Sequence, residues 1–171
     1  PILPQIIVGI SEMIRTYGTF TAIGIFVIYY FIRTWLATNE GRRFKENMIL
    51  RMPIIGPLSA KFAMVRFCRM LGTLLGAGVQ LISGLNVARK SIHNQILFDT
   101  VSSSIERVKK GDPLAVSFSD CKQLFPGTVL EMIKVAEETG QLDKELNRLA
   151  ETTEKELERQ LRTAVALTEP L

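Results

Sequence analysis

The sequence predicts an all-α protein, with a transmembrane helix near the N-terminus and a helical domain after it. The stretch Thr16–Ile32, TYGTFTAIGIFVIYYFI, runs seventeen residues without a charge. Beyond it, apolar residues recur every three or four positions in successive segments, the helical period. No run alternates apolar and polar residues between turn signals, as a half-buried strand would.

Counted on to Ala37, the apolar helix is about 33 Å long, enough for a hydrocarbon core of about 30 Å. Arg33 lies near its end, where the long side chain carries the guanidinium to the headgroups. Tyr29, Tyr30 and Trp35 suit the membrane interface, each with an apolar body and a polar tip. A core helix of a soluble protein seldom goes so far without a charge. A signal peptide fits poorly, because the run is preceded by apolar residues and no small-residue cleavage site follows.

Only Arg15 precedes the run closely, whereas Arg33, Arg42, Arg43, Lys45 and Arg51 follow it. Bases are retained on the cytoplasmic side, so the C-terminal part is expected there. The chain then divides into a short extracytoplasmic segment (1–15), the transmembrane helix (16–37), a basic connector (38–57) and a cytoplasmic helical bundle (58–171). The apolar start, punctuated by Pro1 and Pro4, suggests a piece of a longer chain.

From Asn39 onward there are 133 residues, enough for one domain with its own core. Residues 1–110 carry fourteen bases and five acids; residues 111–171 carry seven bases and twelve acids. That gradient is the polarity expected of a domain lying on anionic lipid, with Arg42, Arg43, Lys45 and Arg51 as the membrane-surface residues. Nucleic acid is not the expected partner, since the bases are not interleaved with aromatics and the acidic half repels phosphate. Cys68 and Cys121, with the single His93, match no zinc pattern and no disulfide framework.

In the domain, Pro53, Gly56 and Pro57 break any extension of the spanning helix. From Leu58 a helix follows, with Phe62, Val65, Cys68 or Met64, Leu71, Leu74 and Leu75 at helical spacing, stopped by Gly78. Cys68 reads as a small core residue. Leu81–Ser91 and Ile92–Lys110 are the next two helices. Asp112-Pro113 reads as a cap and first helical residue of a fourth, running toward Cys121. Thr128–Thr139 is a fifth, with Val129, Met132, Ile133 and Ala136 on one face and Gly140 as its stop. The last and longest, Gln141 to about Thr168, carries a leucine stripe and a charged face.

Phosphate-binding loops, nucleophile elbows and zinc-protease motifs are all missing, so no enzyme and no cofactor are expected. His93 reads as a surface or cap residue. One dense polar feature remains. Glu137, Glu138 and Asp143 fall around the turn between the last two helices. The bland reading is a solvated turn, with Asp143 favoured by the helix dipole. The functional readings are a partner-docking acidic patch or a weak cation site, and three carboxylates alone are too common to identify a metal.

The pattern Arg66-Phe67-x-Arg69-x-Leu71-x-x-Leu74-Leu75-x-x-Gly78-Val79-x-Leu81-x-x-x-Leu85-x-x-Ala88 resembles the bacterial type II secretion system F family. The resemblance continues through Asn94, Gly111, Phe125-Pro126, Glu137-x-Thr139-Gly140-x-Leu142, Leu146 and Glu169-Pro170, and takes in Leu3-Pro4. Ala136 departs from it, standing where glycine is common, as does Ile7, where a threonine often follows Leu-Pro. The resemblance implies a six-helix cytoplasmic bundle, present twice in a full-length protein with three spans. It also implies a non-catalytic inner-membrane platform in type II secretion or type IV pilus assembly. Such a platform couples a hexameric assembly ATPase to pilin or pseudopilin extraction, beside other inner-membrane components and as a homo-oligomer. Glu137, Glu138 and Asp143 would then meet bases on the ATPase or on a second copy, where Arg66 and Arg69 are candidates. The alternative from another class is a membrane-anchored helical sensor or transporter fragment binding a small molecule.

Overall fold

The computed structural model describes the backbone of residues 2–168 and the side chains of residues 18–168. Glu169-Pro170 lies outside these residues, as do the side chains of Leu3, Pro4, Ile7 and Arg15. Among the described residues there are eight α-helices, one 3-10 turn and no strand. The chain forms two compact units, residues 1–45 and 46–171.

The first unit is built on α1 (Ile2–Ala37), with α2 (Asn39–Arg51) starting in it. Residues Gly18–Ala37 are apolar and long enough to cross a membrane, and none of them is buried. Phe20, Phe26 and Phe31 are each about seven-tenths exposed, which rules out the buried helix of a soluble core. The expected extracytoplasmic segment is helical and continuous with α1 from Ile2. α1 ends where Thr34 and Thr38 turn their hydroxyls onto the carbonyls of Tyr30 and Thr34, at 2.7 and 3.1 Å. Past the break, the backbone of Gly41 closes on Trp35. A Cβ at position 41 would lie 2.1 Å from the Trp35 carbonyl oxygen, so only glycine fits.

The second unit is the six-helix bundle: α3 (Ile55–Gly76), α4 (Leu81–Ala88), α5 (Gln95–Lys109), α6 (Leu114–Ser117), α7 (Gly127–Thr139) and α8 (Leu142–Thr168). A 3-10 turn, Arg89–Ser91, follows α4. Its spine is α3 packed antiparallel on α8. Near one end a Cβ on Gly76 would meet Asp143 at 3.8 Å, and Gly72 lies against Asn147. Further along, Arg69 pairs with Glu154, and Lys61 with Glu156 at 3.0 Å. Between the two helices lie Met64, Phe67, Cys68 and Leu71 of α3 and Leu146, Leu149, Ala150 and Leu157 of α8, all buried. Phe67, Phe118 and Phe125 form an aromatic triangle with ring centroids 5.3 to 5.9 Å apart, tilted or edge-on as ring quadrupoles prefer. Cys68 is fully buried, and burial pushes its thiol up to about 12. It is the core residue its spacing predicts.

The helix starts differ from expectation where side chains compete. α5 begins at Gln95 rather than Ile92. Asn94 Oδ1 accepts the N–H groups of Ile96 and Leu97 at 2.9 and 3.1 Å, and Glu46 accepts that of Gln95 at 2.6 Å. His93 is exposed. The fourth helix is a single turn, Leu114–Ser117, and Asp112 does not cap it. Arg107 binds the Asp112 carboxylate at 3.5 Å, and Pro113 takes the cap position.

Gly72 and Gly76 separate two effects of glycine. A Cβ at 72 would sit 2.8 Å from the Asn147 side chain and 3.0 Å from its backbone nitrogen, whereas Gly76 has room. Denaturation of the detergent-solubilised chain, followed by circular dichroism, should show Gly72→Ala less stable by about 1–3 kcal/mol. Gly76→Ala should be neutral or stabilising by up to about 1 kcal/mol, through helix propensity.

Candidate functional site

The turn between α7 and α8 follows from Gly140. At φ +68° it adopts the left-handed conformation, and the Gln141 N–H reaches back to the Ala136 carbonyl at 2.9 Å. That closure satisfies the end of α7 in the Schellman manner. Thr139 turns its hydroxyl onto the carbonyls of Val135 and Ala136. Among the described residues only Gly78, Gly111 and Gly140 have positive φ. Ala136 therefore occupies ordinary helical backbone, and its departure from the family glycine carries no strain.

The three carboxylates of this turn point to different places. Glu137, half-buried, reaches across to α6. Its Oε1 accepts the Leu114 N–H at 2.7 Å and its Oε2 the Ala115 N–H at 3.3 Å. It thus does for α6 what a local cap does for other helices, and charge strengthens the bonds. Asp143 lies in the first turn of α8, near Gly76 of α3. Glu138 is exposed. Among the described residues no three His, Cys, Asp or Glu side chains are placed to hold a metal ion.

The two basic candidates on α3 also separate. Arg69 pairs with Glu154 across the spine, an exposed contact of the kind that contributes little. Arg66 is exposed and forms no hydrogen bond or ion pair with a described residue. Of the flank residues, Arg42, Arg43 and Lys45 are exposed on α2, and Arg51 is exposed in its last turn.

Beside the acidic turn α7 and α8 enclose an open groove of about 480 Å³, lined by Met132, Val135, Lys144 and Arg148 among others. Met132 is half exposed, off the buried face of Ile133 and Ala136 to which its spacing assigns it. α8 covers only part of α7, and periodicity along α7 alone cannot show how much.

The family profile described as "Type II secretion system (T2SS), protein F" matches residues 67–171. The chain belongs to the type II secretion system protein F family. Similar along its whole length, at 31% identity, is a type II secretion system protein F of Aeromonas hydrophila, of which it covers 44%. A type IV pilus assembly protein PilC of Thermus thermophilus is 30% identical over all of this chain and 42% of its own length. Another PilC, from Myxococcus xanthus, is 32% identical over 98% of this chain and 40% of its own length. The chain therefore spans less than half the length of these relatives. Proteins of the F family are inner-membrane components, which accords with the unburied apolar helix Gly18–Ala37. The relatives' names describe parts of secretion and pilus machines rather than catalysts.

In this F-family bundle Glu137 and Glu138, adjacent in sequence, should respond oppositely to mutation. Glu137→Ala leaves the amides of α6 without their acceptor and should cost about 1–3 kcal/mol. Glu138→Lys should change stability by about half a kcal/mol or less. Thermal and denaturant unfolding of the two variants check this.

Proposed function

We propose that the chain is part of an inner-membrane platform protein of a type II secretion or type IV pilus machine. Its bundle stands on the cytoplasmic side and passes force from a hexameric assembly ATPase to pilin or pseudopilin extraction, without catalysis of its own. The observation that carries the reading is a helical bundle of the F family joined to an unburied apolar helix with a basic C-terminal flank. Family membership favours it over a sensor or transporter fragment. Coupling by contact requires exposed charge on rigid elements. Glu138, exposed at the end of α7, meets that requirement, with Asp143 half-buried beside it in the first turn of α8, and their counterparts are bases on the ATPase or Arg66 of a second copy. Glu137 supports the turn from inside by holding α6. Arg42, Arg43, Lys45 and Arg51 hold the membrane side against anionic headgroups, each worth about 1 kcal/mol near the surface.

Charge reversal tests the coupling. In the full-length protein, Glu138→Lys should leave helicity and melting unchanged but reduce ATPase co-purification and pilus or pseudopilus assembly, because attraction becomes repulsion. Full assembly by the folded variant would return the turn to a solvated role.

Topology is tested by thiol labelling in intact cells. The native thiols are buried in the folded bundle and should stay unlabelled by an impermeant reagent. Asn39→Cys should also be protected, and Ser11→Cys should label. The reverse pattern would place the bundle outside the cytoplasm and end the platform reading.

A further inference from the structure

α2 buries little of itself. Gly41 is its one fully buried residue, and Phe44 and Met48 are 58% and 59% exposed. Glu46, Ile49 and Leu50 are half-buried and share one face, at spacings of three and four residues. Leu50 packs against the bundle core. A helix with so few buried apolar contacts can open locally while the rest of its domain stays folded.

Two features hold the second half of α2. One is the corner into α3, where the two helices are bent by 104°. A Cβ at Gly56 would lie 2.1 Å from the Leu50 carbonyl oxygen, and the Gly56 N–H bonds the Met52 carbonyl at 3.0 Å. No side chain braces this corner. Ile54 occupies the N-cap of α3 without a side-chain hydrogen bond, and Pro53 has no N–H to donate.

The other is Glu46, which reaches α5, 49 residues away in sequence. Its Oε2 accepts the Gln95 N–H at 2.6 Å. Asn94 already takes the N–H groups of Ile96 and Leu97, so Glu46 supplies the acceptor for the first amide of α5. A carboxylate suits that place. The helix dipole favours an anion there, and charge strengthens the bond. Glu46 lies seven residues before Pro53, about 10 Å along the helix, so its bond acts at a distance from the corner.

We propose that Glu46 is a latch between α2 and the bundle. Latched, the second half of α2 and α5 move as one body, and a displacement of the bundle is passed into α2. Unlatched, the corner at Met52–Ile54 becomes a hinge that absorbs the displacement. The proposal rests on the platform reading, in which the bundle passes force. It adds the residue that makes α2 follow the bundle.

The test uses the full-length protein in lipid nanodiscs, with distances read between pairs of nitroxide spin labels. One pair is Asn47→Cys on α2 and Ser103→Cys on α5. The control pair is Ser103→Cys and Lys155→Cys, within the bundle. All three positions are exposed, and Cys68 and Cys121 are buried and stay unlabelled. With Glu46 present, the 47–103 distance should be short and narrowly distributed. Glu46→Ala should add a longer population, the undocked share rising about tenfold or more, as for a lost hydrogen bond to a charged group. Glu46→Gln keeps an acceptor without the charge and should fall between. The control distance should not change, and pilus or pseudopilus assembly should decline in the same order.

An unchanged 47–103 distance in Glu46→Ala would overturn the latch. So would a control distance that broadens with it in both variants, since Glu46 would then serve the fold as a whole. A longer 47–103 distance with full assembly would overturn the transmitting role. Assembly that persists after deletion of the whole gene would sink the platform reading instead, and the distances alone would then decide the latch.

Discussion

The close approach of α3 and α8 is the contact on which the rest of the bundle depends. Gly72 permits it, because any larger residue would meet Asn147 before the helices met. Once the two backbones touch there, the side chains that flank the contact are forced into a common interior. Leu71 fills the space under Gly84, where a Cβ would lie 3.1 Å from its methyl group. Phe67 meets the rings of Phe118 and Phe125, so the short α6 region is drawn into the same core. A core of this density tolerates little change in volume, so one glycine sets the position of several elements at once.

A consequence reaches the acidic turn. α6 is one turn long and cannot satisfy its own N-terminal amides through local geometry. Asp112, next to it in sequence, is engaged by Arg107, so the acceptor comes from Glu137 on α7. α7 is in turn held to α8 through Gly140. Glu137, Thr139 and Gly140 therefore act as one joint among three helices. This gives a physical reason for the Glu-x-Thr-Gly pattern that does not involve a ligand, and it leaves Glu138 as the charge offered outward.

The antiparallel spine also reinterprets the charge gradient. Read along the chain, bases dominate before residue 110 and acids after it. In the folded bundle α8 carries Arg159 and Arg162, with Glu156 and Glu158 beside them, back to the end where α3 begins. The acids of the α7–α8 turn collect at the opposite end.

The spanning helix, the all-helical class and the six helices of the bundle were legible in the sequence, because each depends on local period and local breaks. Seventeen uncharged residues, Gly78 and Gly140 as stops, and the buried spacing of Cys68 and Leu71 are readable without knowing any neighbour. The family was legible too, since its motif lies in one continuous stretch of α3 and α4. What only tertiary structure decided is which of several local options won. Asp112 had the position of a cap but lost it to Arg107, and Glu137 looked like surface charge but is turned inward by α6. Arg69 is paired with Glu154, 85 residues away. Met132 fits the buried period of α7 but lies where α8 does not cover it. Each of these outcomes depends on a partner distant in sequence, and only packing brings that partner within the few ångströms over which hydrogen bonds and contacts act.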